Sequence, residues 1–189
     1  DATATLTNST VGLTVNNAGA DDVLSIGEGN HGTITHGLAD ASAADDVLDV
    51  ELSSAISSAS ANVGTLSISE VETVNLSSLG GLDEDVTNTV SGLQGDAALE
   101  TLNVDGDSEL DLTLDSSLTG LATVDATELS SDATIIASAN ASDLAITTAG
   151  GDDVVAMGTN LDNSDSLDLG GNAADGGDVV TATINGLTA

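Results

Sequence analysis

Apolar and polar residues alternate with period two along much of this chain. The clearest run is Glu109-Leu110-Asp111-Leu112-Thr113-Leu114-Asp115, in which three leucines point one way and the acids and threonine point the other. Leu66-Ser67-Ile68-Ser69, Val74-Asn75-Leu76 and Leu102-Asn103-Val104 alternate in the same way. Strict alternation of this kind predicts strands buried on one face only. The abundance of Thr and Val suits that assignment, because β-branched side chains pack well on a pleated surface. Proline is absent, so turns fall to Gly, Asn, Asp and Ser. Residues 53–61, rich in Ser and Ala, are the one stretch that reads as a short helix.

The pattern also repeats at longer range. Val71-Glu72-Thr73-Val74-Asn75-Leu76 is echoed by Leu99-Glu100-Thr101-Leu102-Asn103-Val104 and by Leu121-Ala122-Thr123-Val124-Asp125-Ala126, with the threonines 28 and 22 residues apart. A second repeat runs through Asp21-Asp22-Val23-Leu24, Asp45-Asp46-Val47-Leu48, Asp152-Asp153-Val154-Val155 and Gly177-Asp178-Val179-Val180. Its spacings are 24 residues from Asp22 to Asp46 and 25 from Asp153 to Asp178. Periods of this length indicate stacked supersecondary units. Short strands with one aliphatic stripe per unit predict an all-β chain of β-solenoid rungs, with a β-sandwich as the alternative. The expected organisation is a single elongated β domain over residues 1–189, with a candidate division into two lobes near 80–95.

Composition explains how such a fold can hold. There is no Phe, Tyr or Trp, and small aliphatic residues are what the narrow interior of a solenoid accepts. Val, Leu and Ile make up about a quarter of the chain, more than disordered chains carry. There is no Cys, which removes disulfides and thiolate metal sites. The chain opens on Asp1 rather than Met, which suggests a processed product or an excised portion of something longer.

Charge changes the picture most. The chain has 32 acidic residues, no Lys and no Arg, for a formal charge of −32. Carboxylates stacked on adjacent rungs, about 4.8 Å apart, repel unless a cation lies between them. Positive charge must come from outside. Oxygen-only sites select hard cations, and Ca2+ is the expected one. The absence of basic residues argues against binding nucleic-acid phosphates. No apolar run approaches the length of a membrane-spanning helix, so direct membrane insertion is not expected.

The Asp-Asp-Val-Leu units follow small residues, as in Ala18-Gly19-Ala20-Asp21-Asp22-Val23-Leu24 and Ala149-Gly150-Gly151-Asp152-Asp153-Val154-Val155. Gly176-Gly177-Asp178-Val179-Val180 shares the same core. These segments resemble the RTX nonapeptide, Gly-Gly-x-Gly-x-Asp-x-U-x with U a large aliphatic. Together with the rung-like Val71 to Leu76 and Leu121 to Leu129 segments, they look like calcium-dependent bacterial surface-layer proteins exported by type I secretion. The resemblance implies that Asp22, Asp46, Asp153 and Asp178 are calcium ligands and that Leu24, Leu48, Val155 and Val180 plug the interior. Asp21, Asp45 and Asp152 precede the ligand position, and Asp175 is a further candidate. Each copy here is solitary, and Ala20 and Ala44 stand where the family has glycine. Each site therefore needs ligands from another rung or loop.

Other acidic groups read more plainly. Asp105-Gly106-Asp107-Ser108-Glu109 lacks the terminal bidentate Glu of an EF-hand and reads as a solvated turn. Asp83-Glu84-Asp85 reads as a solvated charge run, while Asp162, Asp165 and Asp168 stand evenly between ligands and solvated acids. His31 and His36, five residues apart, are expected on opposite strand faces, as exposed turn residues rather than a metal pair. No nucleophile, cationic or phenolic catalytic group sits in a recognisable motif, so an enzyme is not expected.

The resulting expectation is an extracellular, cell-surface structural protein that self-associates into sheets or filaments through calcium. Contact with cell-surface glycan or lipopolysaccharide would run through calcium too. The rivals are an adhesive or spacer module of a large secreted RTX adhesin, and a halophilic protein whose acidity serves hydration alone.

Overall fold

The computed structural model describes residues 3–6, 10–19, 22–38, 45–53, 58–80, 86–172 and 176–183. Within them the chain forms strands and no helix. In chain order these are β1 (Thr3–Leu6), β2 (Leu13–Ala18), β3 (Val23–Ile26), β4 (Gly29–Leu38), β5 (Val47–Leu52) and β6 (Ala61–Ser69). Then come β7 (Thr73–Ser78), β8 (Thr87–Gln94), β9 (Thr101–Gly106), β10 (Glu109–Leu114), β11 (Thr123–Leu129) and β12 (Ala133–Ile136). The last are β13 (Ala145–Thr148), β14 (Gly150–Gly151), β15 (Val154–Gly158), β16 (Ser166–Asp168), β17 (Gly171–Asn172) and β18 (Val179–Ala182).

The order of pairing makes this a β-solenoid. One eight-stranded sheet runs β1-β3-β5-β7-β9-β11-β13-β16, and a second runs β18-β15-β12-β10-β8-β6-β4-β2. A small third sheet joins β14 to β17. Every pair is parallel, for example β7 with β9 and β6 with β8. The chain thus alternates between the two large sheets and returns to each one coil further along. Of the residues read as a helix, 54–57 lie outside the described set, and Ala61 opens β6 as a strand.

The longer repeat is the coil itself. Thr73 pairs with Thr101, Val74 with Leu102, Asn75 with Asn103 and Leu76 with Val104. Thr123, Val124 and Asp125 continue the same rows. Inward positions form one core shared by both sheets, from Leu24 and Ile26 through Val74, Leu102 and Leu112 to Ile146, Val155 and Met157. Outward on the first sheet, the Asn75 amide donates to Asp49 Oδ1 at 2.8 Å and the Asn103 amide to Asn75 Oδ1 at 2.9 Å. Such a ladder tolerates burial and stacking because each amide is donor and acceptor at once.

The corners hold the coils together by replacing missing ladder bonds. Asn88, fully buried, accepts from the Ala61 N–H at 2.8 Å and donates to Ser78 Oγ and the Leu79 carbonyl. Asn140 donates to the Asp115 and Leu118 carbonyls and accepts from the Ser142 N–H. Gly106 turns with φ of 124°, and a Cβ there would collide with the Ser78 carbonyl, which accepts from the Asp107 and Ser108 N–H groups. Buried polar backbone leaves no other choice at such a turn.

A recurring bend shapes the second sheet. His31 and Ile34 point inward three residues apart, as do Val63 and Leu66 and then Val90 and Leu93. The intervening pairs, Gly32-Thr33, Gly64-Thr65 and Ser91-Gly92, lie outward. On β10 the count returns to two, with Leu112 opposite Val90 and Leu114 opposite Leu93. This one-residue excess overturns the expectation for the histidines. A three-residue step and then a two-residue step bring His31 and His36 to the same face. Both are buried inside the solenoid, 5% and 2% exposed, rather than exposed in a turn.

Candidate functional site: carboxylates at the solenoid corners

The Asp-x-aliphatic units all enter a strand at a corner. There the aspartate and the aliphatic two residues later both face inward. Asp22, Asp46 and Asp153 are buried, and so are Leu24, Leu48 and Val155. Val180, on the last strand, is exposed. Asp45 is exposed, Asp152 and Asp178 are half-buried, and Asp21 and Asp175 lie outside the described residues. Asp83, Glu84 and Asp85 lie outside them too. Asp105 and Asp107 are exposed, in keeping with a solvated turn.

The fullest assembly lies where β12, β15 and β18 begin. Val154 pairs with Val179, which places Asp153 level with Asp178 on the next coil. Thr134 pairs with Val154, which places Asp132 level with Asp152. Hydrogen bonds climb this staircase. The Ala133 N–H donates to Asp153 Oδ1 at 2.8 Å, and the Asp153 N–H donates to Asp178 Oδ1 at 3.1 Å. The Asp152 N–H donates to Asp132 Oδ1 at 2.9 Å. Each carboxylate thus caps a backbone donor on a neighbouring coil.

The glycines of this segment make room for those carboxylates. A Cβ on Gly151 would come 2.6 Å from Asp132 Oδ1, and one on Gly176 would overlap the Asp152 carboxylate. The carboxylates leave acceptors unused. Asp153 is 2% exposed, and its Oδ2 is buried with no hydrogen-bond partner; Asp152 Oδ1 is likewise buried and unpartnered. A buried anionic oxygen with no donor costs free energy unless a cation meets it. The donor set is all oxygen, which suits a hard cation. Among the described residues no three acidic or histidine side chains already converge as a closed ligand cage.

The first corner is built differently from the same motif. Val23 pairs with Asp49, not with Val47, so Asp22 stands level with Leu48 and two positions from Asp46. Asp22 Oδ2 accepts from the Gly19 N–H at 2.7 Å. The Asp46 N–H donates to Glu72 Oε2 at 2.8 Å, and its carbonyl accepts from the Glu72 and Thr73 N–H groups. Besides Glu72, a histidine lies near this corner. Burial holds the His36 imidazole below its ordinary value of 6.5, while the charge of Asp22 pulls the other way. Both His36 ring nitrogens are buried without a hydrogen-bond partner. His31 Nε2 lies 2.7 Å from the Gly27 carbonyl.

Asp132 was not singled out from the sequence, whereas Asp165 was weighed there evenly between ligand and solvated acid. Asp165 Oδ1 accepts from the Leu144 N–H at 2.9 Å, the same coil-to-coil cap. A usable signal was present for Asp132, which lies 20 residues before Asp152 at the head of a strand. Compared with known protein families, curated proteins and solved structures, the chain matches none.

Proposed function

We propose that this chain is a non-catalytic structural protein, a calcium-stabilised subunit of an extracellular surface layer or filament. The observation that carries the reading is the corner of Asp132, Asp152, Asp153 and Asp178. There a buried carboxylate oxygen has no partner, in a chain with no Lys or Arg to supply one. Calcium held there would tie three successive coils at once. The RTX-like spacing of Asp153 and Asp178 supports the same ion. The fold suits the role, since a stack of parallel coils is a rod whose stability is a sum of neighbour contacts. Cell-surface glycan or lipopolysaccharide would be met through the same cation, because the chain offers anions no direct partner.

The test is thermal unfolding followed by circular dichroism, with excess chelator and then with millimolar calcium, alongside light scattering. The expected result is a rise in melting temperature with calcium, reversed by chelator, and growth of large particles only in its presence. An unchanged melting temperature would remove calcium from the account. A chain that gains stability but stays monomeric would instead be a spacer or adhesive module of a longer protein.

A further inference from the structure

The 32 carboxylates are not spread evenly over the two large sheets. On the first sheet, Asp49 and Glu51 of β5, Asp105 of β9, Asp125 and Glu128 of β11 and Asp168 of β16 all stand on the strands. On the second sheet, β2, β4, β6 and β8 are consecutive neighbours and contain no Asp or Glu at all. Their outward positions are short and neutral: Thr14, Thr33, Thr35, Thr65, Ser67 and Ser91 among others. Outward glycines recur across this face: Gly32 is level with Gly64, and Gly92 on the next coil lies one position further along, level with Thr65. Among the described residues acids return at its rim, with Glu28, Glu70 and Asp96 near the strand ends, Asp111 exposed on β10, and Glu109 of β10 accepting from the Thr87 hydroxyl of β8.

We propose that this neutral face of β2, β4, β6 and β8 is the surface on which a second copy of the chain docks, face to face about a two-fold axis. The charge distribution selects this partner and this orientation. Two copies repel wherever carboxylates face each other, and β2, β4, β6 and β8 form the larger of the two stretches of this sheet whose strands carry none, the other being β12, β15 and β18. Pairing here leaves the acidic first sheets on the outside of a four-layer stack. Sheets pack about 10 Å apart, so the two acidic faces end up about 30 Å from one another, beyond the Debye length of about 8 Å at physiological salt. The glycines and short hydroxyl side chains let the faces approach closely and lose little side-chain entropy. Four strands at about 4.8 Å and eight residues at about 3.3 Å give roughly 500 Å² per copy, the low end for a specific interface. The dimer is therefore weak alone and effective where subunits are already concentrated, as in an assembled layer.

The inference deepens the assembly part of the proposed function and is independent of its calcium part. Sedimentation equilibrium in calcium-containing buffer, up to millimolar protein and at low and moderate NaCl, tests it. The wild-type chain should dimerise, more tightly at the higher salt. Thr65→Asp and Ser91→Asp should each weaken the dimer at least tenfold, with circular dichroism and melting temperature unchanged. Ser77→Asp, on the outer face of the first sheet, should leave dimerisation within twofold of wild type. A chain monomeric throughout would overturn the proposal, as would equal effects from Ser77→Asp. So would a monomer that binds a neutral polysaccharide through the same residues. Failure of the calcium reading would show separately, as a fold indifferent to chelator.

Discussion

The chain uses one motif, Asp-x-aliphatic at a strand start, to build two unlike corners. At the later corner the copies are in register, and Asp153 stands directly beside Asp178 on the next coil. At the earlier corner the copies are slipped by two residues, because Val23 pairs with Asp49 while the motif spacing would have paired it with Val47. A slip of two preserves which side chains face inward, whereas a slip of one would have turned the core outward. It does separate the acids, by about 6.6 Å along the strand in addition to the coil spacing. The later corner therefore concentrates carboxylates, while the earlier one sets Asp22 near His36. One gathers buried carboxylate oxygens and the other a buried imidazole.

The largest separation should appear in the response to calcium. A cation that binds the native state at a hundred times its dissociation constant adds about 2.7 kcal/mol. Asp153→Asn keeps an acceptor for the Ala133 N–H but loses the charge, so it should abolish most of that increment. Asp22→Asn should keep most of it. Calorimetric melts with and without calcium measure both, and equal losses would make the two corners equivalent after all.

The next effect needs no metal. Asp153→Ala removes the acceptor of a buried N–H, and the orphaned donor should cost about 2 kcal/mol even with chelator present. Chemical denaturation midpoints would report it. A variant as stable as wild type would show that the Ala133 N–H finds another partner.

A smaller effect belongs to the earlier corner and depends on pH. The folded His36 resists a proton that the unfolded chain accepts once the pH falls below 6.5. Stability present above 6.5 is thus lost as the pH drops through the lower folded value. His36→Leu should remove that loss, raising stability relative to wild type more at pH 5 than at pH 7.5. Further down, below the ordinary carboxylate value of 3.8, Asp115 and Asp125 add their own loss. Hydrogen bonds from Ser117 and Thr127 hold their folded pKa values down. The difference between wild type and His36→Leu isolates the histidine from this and from the relief of general repulsion on acidification. A difference independent of pH would sink the assignment.

The smallest effect should come from Asp45→Ser. Asp45 is exposed beside a buried motif aspartate. Surface changes of this kind stay within about 0.5 kcal/mol. A calcium response altered as much as by Asp153→Asn would enlist the preceding aspartates as ligands.

Much of this architecture was legible in the residues themselves. Period-two alternation marked the strands, and the threonine rows of Thr73, Thr101 and Thr123 gave the coil length. Both signals are local, since a side chain must face the core or the solvent whatever the fold. The charge, too, is a property of composition alone. Register was not legible, because it depends on how much chain each corner takes up; hence Asp22 missed Asp46 while Asp153 met Asp178. The histidines were misplaced for a related reason. A bend that inserts one outward residue changes the parity of every position beyond it, and only the neighbouring coils, with Val63-Leu66 and Val90-Leu93 in the same bend, reveal it. Asn88 and Asn140 carry no sequence mark, and Asp132 only its spacing of 20 residues from Asp152. They are corner caps because the backbone groups they satisfy are left without ladder partners by the coil's path. The division of charge between the two faces was likewise invisible until the coils were stacked, since alternate strands along the chain belong to opposite sheets. The sequence alone therefore determined that this chain is an acidic stack of β rungs. Tertiary structure decided which acids meet, which face is left neutral and where the histidines are shut in.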